Sequence, residues 1–269
     1  MKEYNRYTKE DLTIVICAYK ECEYLEQCIQ AIIGQTEQAK MLISTSTPND
    51  YIMGLAEKYK IPVKINMNGG QIEDYNFALK QIETELGMLA HQDDILEKEF
   101  VEASLKKLNC SRDPIISFTN YREIHDDKIV KKASMLIRIK NLLLLPLRLP
   151  ISRKYGFGKR VCQIFGDPIT HPTVICVMKK MPKECFRKGY KACMDWDLWE
   201  RLSKQKGSFV YIPKVLLYHR MTEENQTVKL FRSGENYRYN EEIEIFSRFW
   251  PKTIVKVIIH FYKQAEKFY

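Results

Sequence analysis

The sequence has no apolar run approaching the ~20 residues that a membrane-spanning helix needs. Its most apolar stretch, Asn141 to Leu147, is short and flanked by Arg138, Lys140 and Arg148. The N-terminus, MKEYNRYTKEDL, has no apolar signal core. These absences point to a cytoplasmic chain, or one peripheral on the inner face of the plasma membrane. Cys17, Cys22, Cys28, Cys110, Cys162, Cys176, Cys185 and Cys193 form no C-x-x-C pair and no zinc spacing. They read as buried reduced thiols. Helix-turn-helix, zinc-finger and RNP patterns are missing and the lysines are scattered, which argues against a basic nucleic-acid-binding protein. There is no repeat, low-complexity tract or obvious linker.

What remains is a chain of 269 residues, 45% hydrophobic and 29% charged, an ordinary globular balance. Lys and Arg number 43 against 34 Asp and Glu, a formal charge of +9. That excess suits anionic partners: nucleotides, nucleic acid or acidic lipid headgroups.

The first two fifths alternate strand and helix signals. Leu12 to Ala18 is a β-branched apolar run, as a buried parallel strand should be. Leu25, Cys28, Ile29, Ile32 and Ile33 follow at helical spacing, closed by Gly34. Met41 to Ser44 reads as a second strand, and Asn49 or Asp50 as the cap of a helix through Tyr59. Pro62 to Ile65 reads as a third strand. Ile72, Tyr75, Leu79, Ile82 and Leu86 mark a further helix, and Gly87 to Ala90 a fourth strand ending at His91-Gln92-Asp93-Asp94. A helix around Phe100 to Leu108 and a strand at Ile115 to Phe118 follow. Such alternation implies a mostly parallel sheet with helices on both faces.

From about residue 128 the character changes. Lys131 to Arg160 is basic and leucine-rich, and Pro146 and Pro150 forbid one unbroken helix. Gly166 to Val177 reads as a loop feeding a strand, Asp195 to Gln205 as a helix, and Phe209 to Ile212 and Val215 to Tyr218 as two short strands. The tail from Glu235 to Tyr269 reads as helical, broken at Pro251.

Ligands of open α/β sheets bind beyond the carboxyl ends of the strands. Three strand tips should therefore share a crevice: Ala18 to Glu21, Ser44 to Thr47, and His91 to Asp94. The paired carboxylates Asp93 and Asp94 suit a hard divalent cation held with a diphosphate, or are an ordinary polar strand end. Asp195, at a helix start, is a candidate general base or a helix cap. His219-Arg220 is a candidate diphosphate-binding pair or a plain surface pair.

The order of these segments resembles the family 2 inverting glycosyltransferases of the GT-A, nucleotide-diphospho-sugar transferase, fold. The resemblance is carried by TIVICAYKECEYLEQCIQAIIGQT from Thr13, NGGQIEDYNFAL from Asn68, MLAHQDDIL from Met88, MDWDLWERL from Met194 and VLLYHR from Val215. It implies a mostly parallel central sheet in residues 1–220, with an acceptor-side region at about 128–220 and a helical C-terminal elaboration at 221–269 packed on the domain or a membrane surface. It implies a donor-binding set of Ala18, Tyr19, Glu21, Ser44, Asn76, His91, Gln92, His219 and Arg220. Asp93 would hold a divalent cation, Mn2+ or Mg2+, and Asp195 would be the catalytic base, with Asp94 and Asp197 in support. The implied partners are a nucleotide-sugar donor and a glycan or lipid-linked acceptor, in bacterial surface polysaccharide synthesis.

Some positions depart from the family pattern. The second strand ends in Ser44-Thr45, where the family usually has an Asp-Asp pair that reads the nucleobase. Tyr75 stands for a frequent Arg, Met194 for the Glu of an E-D motif, and Thr222 at the His position after the last strand. A sugar-nucleotide pyrophosphorylase is disfavoured, because Tyr19-Lys20-Glu21-Cys22 stands where its glycine-rich loop belongs. A catalytically silent glycosyltransferase-like binding subunit is the other alternative. Met135 to Leu149, and the stripe of Ile254, Val257, Ile258, Phe261, Tyr262 and Ala265 with nearby lysines, suit either docking on the domain or contact with an anionic membrane.

Overall fold

A computed structural model describes residues 7–125, 127–149, 152, 157–221 and 237–265. Thr222, Pro150 and both ends of the Glu235 to Tyr269 tail lie outside them.

The elements are β1 (Leu12–Ala18), α1 (Leu25–Ile33), β2 (Lys40–Thr45), α2 (Asp50–Tyr59), β3 (Val63–Ile65), α3 (Gln71–Lys80), β4 (Leu86–His91), β5 (Ile95–Leu96), α4 (Phe100–Asn109), β6 (Pro114–His125) and β7 (Lys128–Ile129). They continue with α5 (Met135–Leu143), α6 (Gly158–Val161), β8 (Ile175–Val177), α7 (Met194–Ser203), β9 (Ser208–Arg220), α8 (Tyr237–Phe246) and α9 (Lys252–Ala265). The strands form one sheet in the order β3-β2-β1-β4-β8-β6-β9-β5, with β7 on β6. Neighbours β3, β2, β1 and β4 are parallel, and so are β6 and β9. The short β8 runs antiparallel between β4 and β6. The expected α/β class with a largely parallel sheet is what the chain adopts.

Local chemistry explains most boundaries. Leu25, Cys28, Ile29 and Ile32 give α1 one buried face. The Asn49 side chain caps α2 by accepting from Ile52 N–H at 2.9 Å, and Lys60 ends that helix in the left-handed region. The helix expected to run to Leu86 stops at Lys80 instead, and Leu86 opens β4. The Thr84 hydroxyl meets that of Thr13 at 2.7 Å and donates to Leu86 O at 2.8 Å, which pins the approach to β4 beside β1. Gly87 leaves room for the side chains of Ile82 and Met178 over the strand.

The two short strands expected at residues 209–218 are one long strand, β9. The register against β6 jumps between Thr119↔Ile212 and Asn120↔Val215, so Pro213 and Lys214 bulge out of the ladder. Proline, without an N–H, is tolerated at such a bulge. β6 likewise extends well past Phe118, because β9 pairs along it as far as Arg220. The leucine-rich segment is broken as its prolines require: α5 ends at Leu143 and a 3-10 turn over Leu145–Arg148 contains Pro146.

All eight cysteines are free thiols. The C-terminal helices are docked: Ile245 and Phe246 of α8 and Val255 and Ile259 of α9 are buried. Phe246 meets the Trp196 ring of α7 edge-on, with centroids 4.9 Å apart. Among the described residues no helix is long and apolar enough to cross a membrane.

Candidate active site

Because β1, β2 and β4 are parallel, their carboxyl ends lie on one edge of the sheet. β9 ends on that edge too, since β8 is antiparallel to β4 and to β6 and β6 is parallel to β9. After β4 the chain turns through Gln92 to Asp94 and doubles back as β5, antiparallel to β9 with Ile95↔Tyr218 and Leu96↔Leu217. That register sets Asp94 opposite His219.

The result is a half-buried cluster around Asp94. The Asp94 Oδ1 sits 2.8 Å from His219 Nδ1 and accepts Arg220 N–H at 3.1 Å. Its Oδ2 lies 3.6 Å from His91 Nδ1 and has no hydrogen-bond partner, although Asp94 is only 3% exposed. His91, Asp94 and His219 offer ligand atoms within 4.8 Å of one another, an arrangement that could hold a metal ion. Burial would raise the Asp94 pKa, but the charge and hydrogen bond of His219, with His91 and the Arg220 N–H, hold it below the usual carboxylate range. Asp93 goes the other way: burial and the neighbouring Asp94 charge raise it. Burial disfavours the His219 cation, yet Asp94 and Asp93 outweigh that and raise its pKa. The imidazole of His91 stacks on Tyr75 at 6.1 Å between centroids, with Nε2 3.2 Å from the Tyr75 hydroxyl. His171, enclosed by Tyr75, His91, Phe186 and Trp199, is kept neutral, its pKa lowered to about 3 by burial and then by His91.

Several expected donor residues are engaged with the chain itself. Gln92 accepts from Tyr19 N–H at 2.9 Å and donates to Tyr19 O at 3.0 Å, joining the β1 and β4 tips. Asn76 makes the same two-way pair with Phe186, at 2.7 and 3.0 Å. Arg220 is 3% exposed; it donates to Asp93 O at 3.1 Å and to Gln27 at 2.7 Å, pairs with Asp127, and stacks on Tyr24 at 3.8 Å. Ala18 and Ser44 are buried, Tyr19 is 51% exposed and Glu21 is exposed.

Asp195 stands at the start of α7. Burial raises its pKa; the Trp196 N–H, 3.0 Å from Oδ1, then Lys140 and His91 partly offset this. Asp197, two residues on, points to another side of the helix. It is fully buried among arginines, 2.9 Å from Arg201 Nε and 2.7 Å from Arg248 NH1, and also pairs with Arg187. It ties α7 to its neighbours and does not accompany Asp195.

Four further residues were not among the expected site residues. Asp167 lies within the loop before β8; burial and the Asp195 charge push its pKa well up. Lys140 of α5 reaches Thr170 Oγ1 at 3.4 Å and lies 5.5 Å from the Tyr121 ring centroid, and its charge acts on Asp167, Asp195 and His219. Asp74 accepts from Ser46 and Asn66, each at 2.7 Å, and sets a carboxylate beside the β2 tip, where the expected Asp-Asp pair is missing. Glu241 of α8 accepts the backbone N–H groups of Lys191, Ala192 and Cys193 at 2.7, 2.9 and 2.8 Å, just before Asp195.

A largely parallel sheet, with Asp93 and Asp94 at the tip of β4 and half-buried Asp195 at the start of α7, agrees with the expected glycosyltransferase fold. The family model for glycosyl transferase family 2 matches residues 13–178, and the chain belongs to that family. It is 23% identical over 236 residues to an uncharacterized glycosyltransferase of Haemophilus influenzae, covering 84% of this chain and 69% of the relative. Its fold is similar to S. aureus TarS 1-349 in complex with UDP-GlcNAc, with a TM-score of 0.60 at 14% identity over 92% of this chain and 70% of TarS 1-349. It is also similar to the mannosyltransferase PcManGT of Pyrobaculum calidifontis in complex with GDP-Man and Mn2+, with a TM-score of 0.63 at 12% identity over 90% of this chain and 64% of that one.

Proposed function

We propose that this glycosyltransferase moves a sugar from a nucleoside-diphosphate donor to a hydroxyl of a glycan or lipid-linked acceptor, inverting the anomeric carbon, in the synthesis of a bacterial surface polysaccharide. The observation that carries this reading is the Asp94 carboxylate at the β4 tip, its buried Oδ2 unpartnered between His91 and His219, in a chain of glycosyl transferase family 2.

Asp195 is the base. As the acceptor oxygen bonds to the anomeric carbon, its proton passes to Asp195. The bond from that carbon to the diphosphate breaks, and its electron pair leaves with the nucleoside diphosphate. General-base help of this kind contributes typically about 10²–10⁴-fold. Burial makes Asp195 a stronger base than a solvated aspartate. Tyr19, Glu21 and Ser44 border the nucleotide side, and Gln92 and Asn76 act by holding the Tyr19 and Phe186 backbones in place. Arg220 acts by fixing Asp93 and the β9 end.

The orphaned Asp94 Oδ2 and two imidazoles fit a divalent cation, with Asp93 beside them. A bound cation would stabilise charge on the departing diphosphate. The mixed nitrogen and oxygen set suits manganese better than magnesium, which prefers oxygen alone.

A thermal-shift panel of UDP, GDP, CDP and dTDP, each with and without Mn2+, tests donor binding without an acceptor. One diphosphate should raise Tm in a metal-dependent way in the native chain and in Asp195→Asn. Transfer should vanish in Asp195→Asn. Unchanged turnover in that variant would remove Asp195 as the base, and the absence of any nucleotide shift would leave the non-catalytic reading standing.

A further inference from the structure

Helix α5 departs from an ordinary surface helix in carrying apolar residues on its outer side. Lys140 and Asn141 face inward beside buried Ile137: Lys140 reaches Thr170 and the Tyr121 ring, and Asn141 contacts the Tyr211 hydroxyl at 3.3 Å. Its exposed stripe is apolar and runs on into the 3-10 turn: Met135, Ile139, Leu142, Leu145 and Leu149, with Met135 74% and Leu142 63% exposed. Arg138 and Arg148 are exposed among them.

Helix α9 also carries apolar residues on its outer side. Val255 and Ile259 dock on the domain, yet Val257 and Phe261 stand outward, 56% and 63% exposed, with exposed Lys252 and Lys256 nearby. The two helices approach each other at Gly166, where the Leu143 side chain and the Tyr262 hydroxyl converge, and Tyr262 donates to Phe165 O at 2.6 Å. Phe165 is itself exposed. An apolar area of this kind on a water-facing surface marks an interaction site.

Charge names the occupant. From Lys128 to Gly166 the sequence has ten Lys and Arg and no Asp or Glu, and from Lys252 to Ala265 it has no acidic residue. Long apolar side chains interleaved with cations and free of acid fit an interface of acyl chains beneath anionic headgroups. We infer that the outer faces of α5 and α9 form one surface that adsorbs to an anionic lipid bilayer. On the reading of the crevice proposed above, this also places a membrane-anchored acceptor within about one helix diameter, ~10 Å, of the crevice, because α5 presents Lys140 on its other side.

The test is flotation of the full chain with vesicles of phosphatidylcholine alone, or with about 30% phosphatidylglycerol, at low and high salt. Binding should require the anionic lipid and weaken as salt rises. Arg138→Gln should weaken it roughly fivefold. Leu142→Ser combined with Leu149→Ser should weaken it about tenfold or more, with Tm unchanged because both side chains are already in water. No binding to anionic vesicles, or binding that both sets of substitutions leave intact, overturns the inference. So does a dimer in sedimentation velocity that the two serines dissociate, since a second copy would then own the face. Vesicle binding needs no donor, so its failure leaves the transfer reading untouched.

Discussion

At the scale of single residues, the site is built as much by amides as by charges. Gln92 and Asn76 each exchange two hydrogen bonds with one backbone unit, as a strand neighbour does. A side-chain amide has the donor and acceptor of a peptide, so it can splice a loop to a strand tip without a ladder. The sequence motif marks these positions but not the use made of them. Asp94 is a similar case. The motif points to Asp93, whereas only the β5–β9 register reveals that Asp94 meets two histidines. Lys140 is invisible in sequence because it sits in a leucine-rich stretch whose helical phase is unreadable beside Pro146. Its charge holds the Asp195 pKa down against burial. Replacing it with Gln removes that help, so the pKa climbs further. The acid limb of kcat/KM should move to higher pH in Lys140→Gln, read from the pH–rate profile of transfer; a limb that stays or moves to lower pH would contradict the pairing.

At the scale of elements, the first half of the chain was legible because each strand is a continuous apolar run and each helix has one apolar face. α1, α2 and α4 lie where their periodicity puts them. The failures share one cause. The end of α3 and the joining of β9 were decided by contacts from elsewhere, Thr13 on Thr84 and β6 along Pro213. A window of neighbouring residues carries no information about these. Glu241 is another long-range contact. It gathers three backbone N–H groups, and losing a buried acceptor costs about 1–3 kcal/mol per stranded group before relaxation. Glu241→Ala should therefore lower Tm and cut kcat for transfer, while nucleotide affinity stays near wild type because α8 packs chiefly on α7 and α9. Glu241→Gln keeps an acceptor oxygen and should recover part of kcat. Equal loss of nucleotide affinity would show a general loosening and not a local one.

At the scale of the whole molecule, two sets of carboxyl groups pull stability in opposite directions with pH. Asp94, Asp197 and Glu200 are held low by histidine, arginine and lysine partners despite burial. The stability they confer is present above the ordinary carboxylate pKa and is lost as pH falls through their folded values. Asp167, Asp195 and Glu242 are raised, chiefly by burial. Their contribution is complete in acid and declines as pH rises above the unfolded value. Asp167→Asn removes one member of the second set without changing its shape. Its Tm gain over wild type should be larger at pH 8 than at pH 4 in thermal melts; an equal change at both would place the Asp167 carboxyl in an ordinary polar setting.

The Glu241 contact also orders events in time. A ribosome delivers β1 to β4 before α8, and chains fold from the N-terminus as they emerge. In the interval between, the β1, β2 and β4 tips can form while the loop before Asp195 still lacks its carboxylate collar. On the function proposed above, a growing chain can thus meet its donor before it can activate an acceptor. On that order, the loop ahead of Asp195 is not closed until α8 has been made.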